Sequence, residues 1–440
     1  RLEVLSRITT GRMKAADETS VSGAEPITIE AAQRMSGAGR RFTLDGSARL
    51  EAHLDRMCRR VLDEVCAIIP QTRLEALVLG GGYGRGQGGV LSTGDGDRPY
   101  NDFEFYVFLR GNRLFNERRF QPGLNALGER LSPEAGVHVE FKVDSIARLH
   151  RSGVSMFSYD LVSGHRTLWP EKDDSRDPFA NCEHHLRAFD IPCHEATRLL
   201  FNRCTGLLLA KELLGKARLD PDDSDFIARN IAKAQLALGD AVLTVAGRYH
   251  WNCLERHDRC GLLASDWPAG APGAPLAGDL RIRVPMDKPA WMKDVERHHA
   301  RGVQFKLHPE RSGSPAGDLA EEHRRVSELA RQVWLWVESL RLNRCFSSVP
   351  EYALSDVDHW PVSSTVRNVL LGVRVFGWRN ALQARVRRHP RGRFLKALAI
   401  LLWMEADDAS RRSLQKQLDA ASNDWHSLVA AYRQLWPRCR

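Results

Sequence analysis

No apolar run in this 440-residue chain approaches the roughly 20 residues a helix needs to span a bilayer. The longest candidate, Ala397 to Met404, is far too short, and the N-terminal stretch lacks the apolar core of a signal peptide. Nine cysteines are scattered, an odd number with no CxxC pair, which argues against both a disulfide framework and a zinc site. A reducing, cytoplasmic setting is expected, with no membrane partner. The first residue is Arg rather than Met, so a start upstream is expected. Lysine is scarce, supplying only 11 of the 64 basic residues, and no internal repeat is visible. Acid is missing altogether from one stretch, His359 to Met404, to which we return.

What is present is concentrated between Leu77 and Asp144. A strand-like Leu77-Val78-Leu79 breaks into Gly80-Gly81-Gly82-Tyr83-Gly84-Arg85-Gly86. Next comes Asn101-Asp102-Phe103-Glu104-Phe105, where strand alternation turns Asp102 and Glu104 one way and the two phenylalanines the other. A further strand, Val137 to Asp144, carries Glu140 among apolar neighbours. A glycine turn offers backbone amides to phosphate oxygens, and convergent carboxylates offer hard oxygen ligands to magnesium. Together they are what metal-assisted phosphoryl chemistry requires.

This order resembles the DNA polymerase β-type nucleotidyltransferase superfamily, over about residues 45–170. Its signature is a Gly-Gly or Gly-Ser turn, then acid-apolar-acid on the next strand, then one acid on a third. Here the turn is Gly81-Gly82-Tyr83-Gly84-Arg85-Gly86, the pair is Asp102 and Glu104, and the third acid is best matched by Glu140, with Asp144 as its rival on the same strand face. The resemblance implies two magnesium ions held by Asp102, Glu104 and Glu140. It implies phosphate contacts from the Gly81 and Gly82 amides and Arg85, and transfer of a nucleoside monophosphate from NTP, ATP by preference, to an acceptor hydroxyl. A small molecule, a protein or an RNA end is the acceptor in such enzymes. In kanamycin-nucleotidyltransferase-like relatives a helical bundle covers the nucleotide, which makes Lys233 a phosphate contact here. Two departures stand out. Nineteen residues separate Gly82 from Asp102, and two of the three acids are Glu. Where most relatives have Ser, this chain has Gly82.

Other readings compete. Gly84, Gly86 and Gly89 satisfy G-x-G-x-x-G after a strand, but a dinucleotide fold needs a helix to open there, and Val90 to Pro99 reads as a turn-rich loop. Acids alternating with aromatics also describe the wet face of an ordinary strand. From another class, a nucleotide-binding or partner-binding module with weak or lost catalysis fits the two glutamates.

The expected fold class is α+β: a small mixed sheet flanked by helices, followed by an all-helical C-terminal region. Residues 1–40, without apolar periodicity, are expected to form a disordered tail. The catalytic domain spans 41–190. It includes a helix from about Ala48 to Ile69 and closes on a short hairpin of 156–161 with 166–170. A helical bundle follows over 191–265, where Arg229, Lys233 and Asp240 share one face of a helix. Residues 266–317, rich in Pro, Gly and charge, read as a loop or linker, and 318–440 as a basic helical region. Between His359 and Met404 stand nine basic residues, Arg367, Arg374, Arg379, Arg385, Arg387, Arg388, Arg391, Arg393 and Lys396. They read either as a surface for nucleic acid or another acidic partner, or as a solvated face beside core positions Val369, Leu370, Leu371, Val375 and Phe376.

Overall fold

In a computed structural model of the chain, the residues described are 41–170, 177–277, 280–313, 315–357, 360, 364–383, 389–404 and 407–438, the side chains of 277 and 378–383 excepted. The expected N-terminal tail lies outside them. Ser47 accepts a hydrogen bond from the amide of Leu50 and so opens helix α1, Ala48–Ile68. Its Leu50, Leu54, Met57, Val61 and Val65 recur at helical spacing and are buried. Strand β1, Leu74–Leu79, runs into Gly80 and a single turn, α2, Gly81–Gly84. Strands β2, Val90–Thr93, and β3, Gly96–Pro99, come next, then β4, Phe103–Leu109. Helix α3, Arg113–Ala135, is capped by Asn112 and stopped by Gly136 at φ 74°; β5, Val139–Asp144, succeeds it. Helices α4, Ile146–Arg151, and α5, Met156–Ser163, lead to β6, Arg166–Trp169.

The main sheet has the order β5-β4-β1-β6, with β4 antiparallel to β1 and parallel to β5. Odd-numbered residues of β4, Phe103 and Phe105, meet α1 and α3 in one core, together with Leu77 and Phe141. Even-numbered Tyr106 and Phe108 face a second core with Val78, Leu161 and Phe179. Glu104 therefore sits on the face away from α1 and α3.

Beyond residue 190 the chain is mainly helical. It comprises α6, Cys193–Leu214; α7, Pro221–Val245; α8, Cys253–Ser265; a hairpin of β7, Pro272–Ala277, and β8, Leu280–Arg283; and α9, Met292–Leu307. After these come α10, Ala316–Arg341; α11, Val349–Leu354; α12, Thr365–Gln383; α13, Pro390–Trp403; α14, Asp408–Leu418; and α15, Trp425–Leu435. One large core unites α6, α7, α10 and α13 around Leu207, Leu238, Trp334 and Leu398. The fold class is α+β. Among the described residues no helix is long and apolar enough to cross a membrane.

Three segments differ from expectation. Residues 90–99 form a two-stranded hairpin rather than a loop: Val90 pairs with Pro99 and Thr93 with Gly96, leaving Gly94-Asp95 as a two-residue turn. Residues 156–163 form a helix because Ser155 and Ser158 cap it reciprocally; β6 pairs with β1 instead. The stretch 266–317 contains a hairpin and the 16-residue α9, packed closely on α7. Among the anticipated core positions of the basic region, Val375 and Phe376 are buried, whereas Leu370 is 66% exposed.

Candidate functional site

Strand β1 delivers the glycine turn and β4 delivers the first acids to the same end of the sheet, because the two run antiparallel. Gly80 donates its amide to the carbonyl of Glu104, at 2.9 Å. Gly81 adopts φ +61°, a conformation suited to glycine. A Cβ at Gly81 would lie 3.3 Å from the Glu104 carboxyl carbon, so the bare backbone there permits turn and acid to touch. The first amides of a helical turn have no partner within it, which leaves those of Gly81 and Gly82 directed outward beside Glu104.

Glu140 lies directly opposite Glu104 in the parallel β4–β5 register and on the same face. The two carboxylates share a counter-ion: the Lys142 ammonium stands 3.0 Å from Glu140 Oε2 and 3.8 Å from Glu104 Oε2. Glu104 also accepts a 2.8 Å hydrogen bond from the Tyr106 hydroxyl. Burial, and then the charge of Glu104, push that phenol's pKa above its ordinary value. Asp102 is exposed just before β4 begins. Asp144 is drawn elsewhere, with Arg148 Nε at 2.7 Å, Arg113 at 3.6 Å and the Ser145 amide at 2.8 Å.

Magnesium suits this site in donor type, since every candidate ligand is an anionic oxygen. A cationic group already occupies the gap between Glu104 and Glu140, which shows that the pair is organised around positive charge. Yet among the described residues no three His, Cys, Asp or Glu side chains gather closely enough to hold a metal ion. Asp102 is exposed at the start of β4, and the Lys142 ammonium lies within ion-pair distance of both glutamates.

Above the acids, α6 and α7 present cations. Arg203 and Lys233 make no hydrogen bond or ion pair with a carboxylate among the described residues, and Arg229 makes no such ion pair. Desolvation lowers the pKa of Arg203, while Asp240 and Glu104 oppose it. Lys233 is lowered by partial desolvation and by Arg203 and Arg229, with Asp102 opposing. Three like charges thus stand near Asp102 and Glu104 without being neutralised. Arg203 was not anticipated; the sequence signal was Asn202-Arg203 interrupting the apolar face of α6.

Arg85 is engaged in a buried chain that joins sheet to helices. It pairs with Asp160 at 3.3 Å, and Asp160 accepts from the Tyr249 hydroxyl at 3.3 Å. Arg256 reaches Tyr249 at 3.4 Å and Asp240 at 2.7 Å, and His299 meets the same Asp240 oxygen at 3.0 Å. Burial raises the pKa of Asp160 despite Arg85. It would raise Asp240 too, but Arg256 and His299 outweigh it and hold that carboxyl below its usual range. Asp240, on the same helix face as Arg229 and Lys233, therefore anchors α7 to α8 and α9.

No protein-family model, curated protein or solved structure matches this chain.

The basic stretch is partly consumed by the fold. Arg391 stacks on Trp360 at 4.8 Å, and Arg393 stacks on Phe376 at 3.8 Å while donating to the Gln417 carbonyl; Lys396 donates to the Ser355 carbonyl. Arg367 and Arg374 are exposed, whereas Arg385, Arg387 and Arg388 and the side chain of Arg379 lie outside the described residues.

Proposed function

We propose that the chain is a magnesium-dependent nucleotidyltransferase that moves a nucleoside monophosphate from NTP, ATP by preference, to an acceptor hydroxyl and releases pyrophosphate. The observation that carries this reading is the register of Glu104 with Glu140 beside the Gly81-Gly82 turn. Phosphate amides and paired oxygen ligands then share one end of one sheet.

Glu104 and Glu140, with Asp102 brought in from the exposed start of β4, would hold the metal, which would supply charge neutralisation of triphosphate and acceptor oxygen. The Gly81 and Gly82 amides cradle phosphate oxygens as they do at any helix start. Arg203 and Lys233 complement the negative charge that accumulates on the leaving pyrophosphate. Glu140 is the carboxylate that accepts the acceptor hydroxyl's proton. Arg85, through Asp160, keeps the turn in place against the helical region.

Lys142 favours a second reading, a nucleotide- or partner-binding module with weak or lost catalysis, because its ammonium occupies the gap between the glutamates. Pyrophosphate release from ATP and magnesium, compared with Asp102→Ala and Glu104→Ala, separates the two. Loss of at least a hundredfold in each variant is expected of the enzyme. A magnesium-dependent rise in melting temperature with ATP but no pyrophosphate supports the binding module, and no ATP response overturns both.

A further inference from the structure

At the N-terminal ends of β4 and β5, where the acids begin, a cleft of about 1410 Å³ opens between α1, the β2–β3 hairpin and the start of α7. Tyr100 and His138 line it, two residues before Asp102 and Glu140 respectively, and the Phe103 amide bonds to the His138 carbonyl at 2.8 Å. Arg229 lines it from α7, one turn before Lys233. The cleft therefore opens where the two strands that carry Asp102, Glu104 and Glu140 begin, and α7 runs from it towards Lys233.

Four of its arginines are left without an acid partner among the described residues. Asp97 is held by the Ser47 amide at 2.8 Å and the Ser92 hydroxyl at 3.2 Å. Asp95 pairs with Arg98 at 3.1 Å, and Glu134 with Arg60 at 3.9 Å. Arg49, Arg56, Arg229 and Arg311 keep no carboxylate partner among the described residues; the acids left facing them are Asp97, whose partners are neutral, Asp225 and Glu310. Arg49 and Arg56, seven residues apart on α1, share one face of that helix. Asp225 Oδ1 sits beneath the wall without a hydrogen-bond partner.

We propose that this cleft seats the acceptor, and that the acceptor is a single-stranded polynucleotide whose terminal hydroxyl reaches the acids. The volume exceeds the roughly 300–1,000 Å³ of ordinary small-molecule pockets. Spaced arginine forks suit successive phosphates, and Tyr100 gives an aromatic edge for a base. The location of the acceptor rests on the nucleotidyltransferase reading; the binding of the strand does not.

The test measures anisotropy of a fluorescein-labelled twelve-nucleotide RNA with the full chain, without ATP, between 50 and 200 mM salt. Wild type should bind with affinity falling steeply as salt rises. Arg49→Gln/Arg56→Gln should bind at least tenfold more weakly, with a salt slope smaller by about 0.7 for each phosphate no longer neutralised. Arg311→Gln, which sits outside every helix and strand, should act in the same direction and guards against misfolding of the double variant. Stabilisation by ATP and magnesium should be unchanged in all of them. No RNA binding at 50 mM salt, or a slope that survives both variants, overturns the proposal. So does preferential binding of inorganic tripolyphosphate, which would make the cleft a small-anion site. RNA binding without pyrophosphate release sinks the enzyme reading and leaves the polynucleotide groove standing.

Discussion

Lys142 is the residue on which the candidate site turns. Two glutamates opposite each other across a parallel pair repel, and an ammonium 3.0 Å from one and 3.8 Å from the other relieves that repulsion. Removing it leaves a bare pair that a divalent ion can serve better. Lys142→Ala should therefore bind magnesium about fivefold more tightly, or roughly 1 kcal/mol, the scale of a partly exposed ion pair. Magnesium-dependent thermal shifts without nucleotide measure this, and equal affinities would show that Lys142 does not compete. Alternation along Asp102-Phe103-Glu104 and along Val139-Glu140-Phe141 was enough to put Glu104 and Glu140 on polar faces. The same alternation puts Lys142 on the face of Glu140, but it does not show that the ammonium also reaches Glu104. Alternation assigns a face, whereas cross-strand neighbours follow from register, which depends on how strands distant in sequence align. Arg203 stayed hidden for a similar reason: its value lies in the absence of a partner, and partners are tertiary.

The segment read as a linker shows why some elements escape sequence reasoning. Helix α9 buries Met292, Val295, His298, His299, Gly302, Val303 and Leu307, a faultless helical period. Two histidines and a glycine occupy it where apolar residues would have announced a buried face. Their identity follows from what each meets. His299 answers the Asp240 carboxylate, and Gly302 lets α9 approach α7 so closely that a Cβ there would lie 2.4 Å from the Leu236 amide nitrogen. Backbone cannot yield as a side chain tip does. Gly302→Ala should accordingly cost about 1–3 kcal/mol, the usual range for overpacking, read from the urea midpoint at constant m. Gly313→Ala, with nothing within 4 Å of its added carbon, is the control and should be near neutral. A null result at Gly302 would mean that the helices separate freely. By contrast α1, whose stripe is Leu, Met and Val, was legible to within one residue.

Across the whole molecule, partly buried histidines set the response to acid. Desolvation pushes His194, His250 and His389 down from 6.5 to about 4 in the fold. The unfolded chain takes up protons at its ordinary value, so it binds more protons than the native state between about pH 6.5 and 4, and stability must fall as pH drops through that window. Asp160, raised by burial, works in the opposite direction, but it stands against these three and against His185, His257, His298 and His323, which desolvation also lowers. Melting temperature should decline from pH 7 to 5, and less steeply in His250→Gln; a flat profile would contradict the assignment. The run of charges from Arg85 through Asp160, Tyr249, Arg256 and Asp240 to His299 has a different consequence. Sheet and helices part only by breaking the whole run at once, and removing a single member such as Arg256 would strand a carboxylate in a dry interior, at several kcal/mol. A molecule riveted this way does not gape. On the nucleotidyltransferase reading proposed above, substrates would then come and go through the open mouth of the cleft rather than through a parting of sheet and helices.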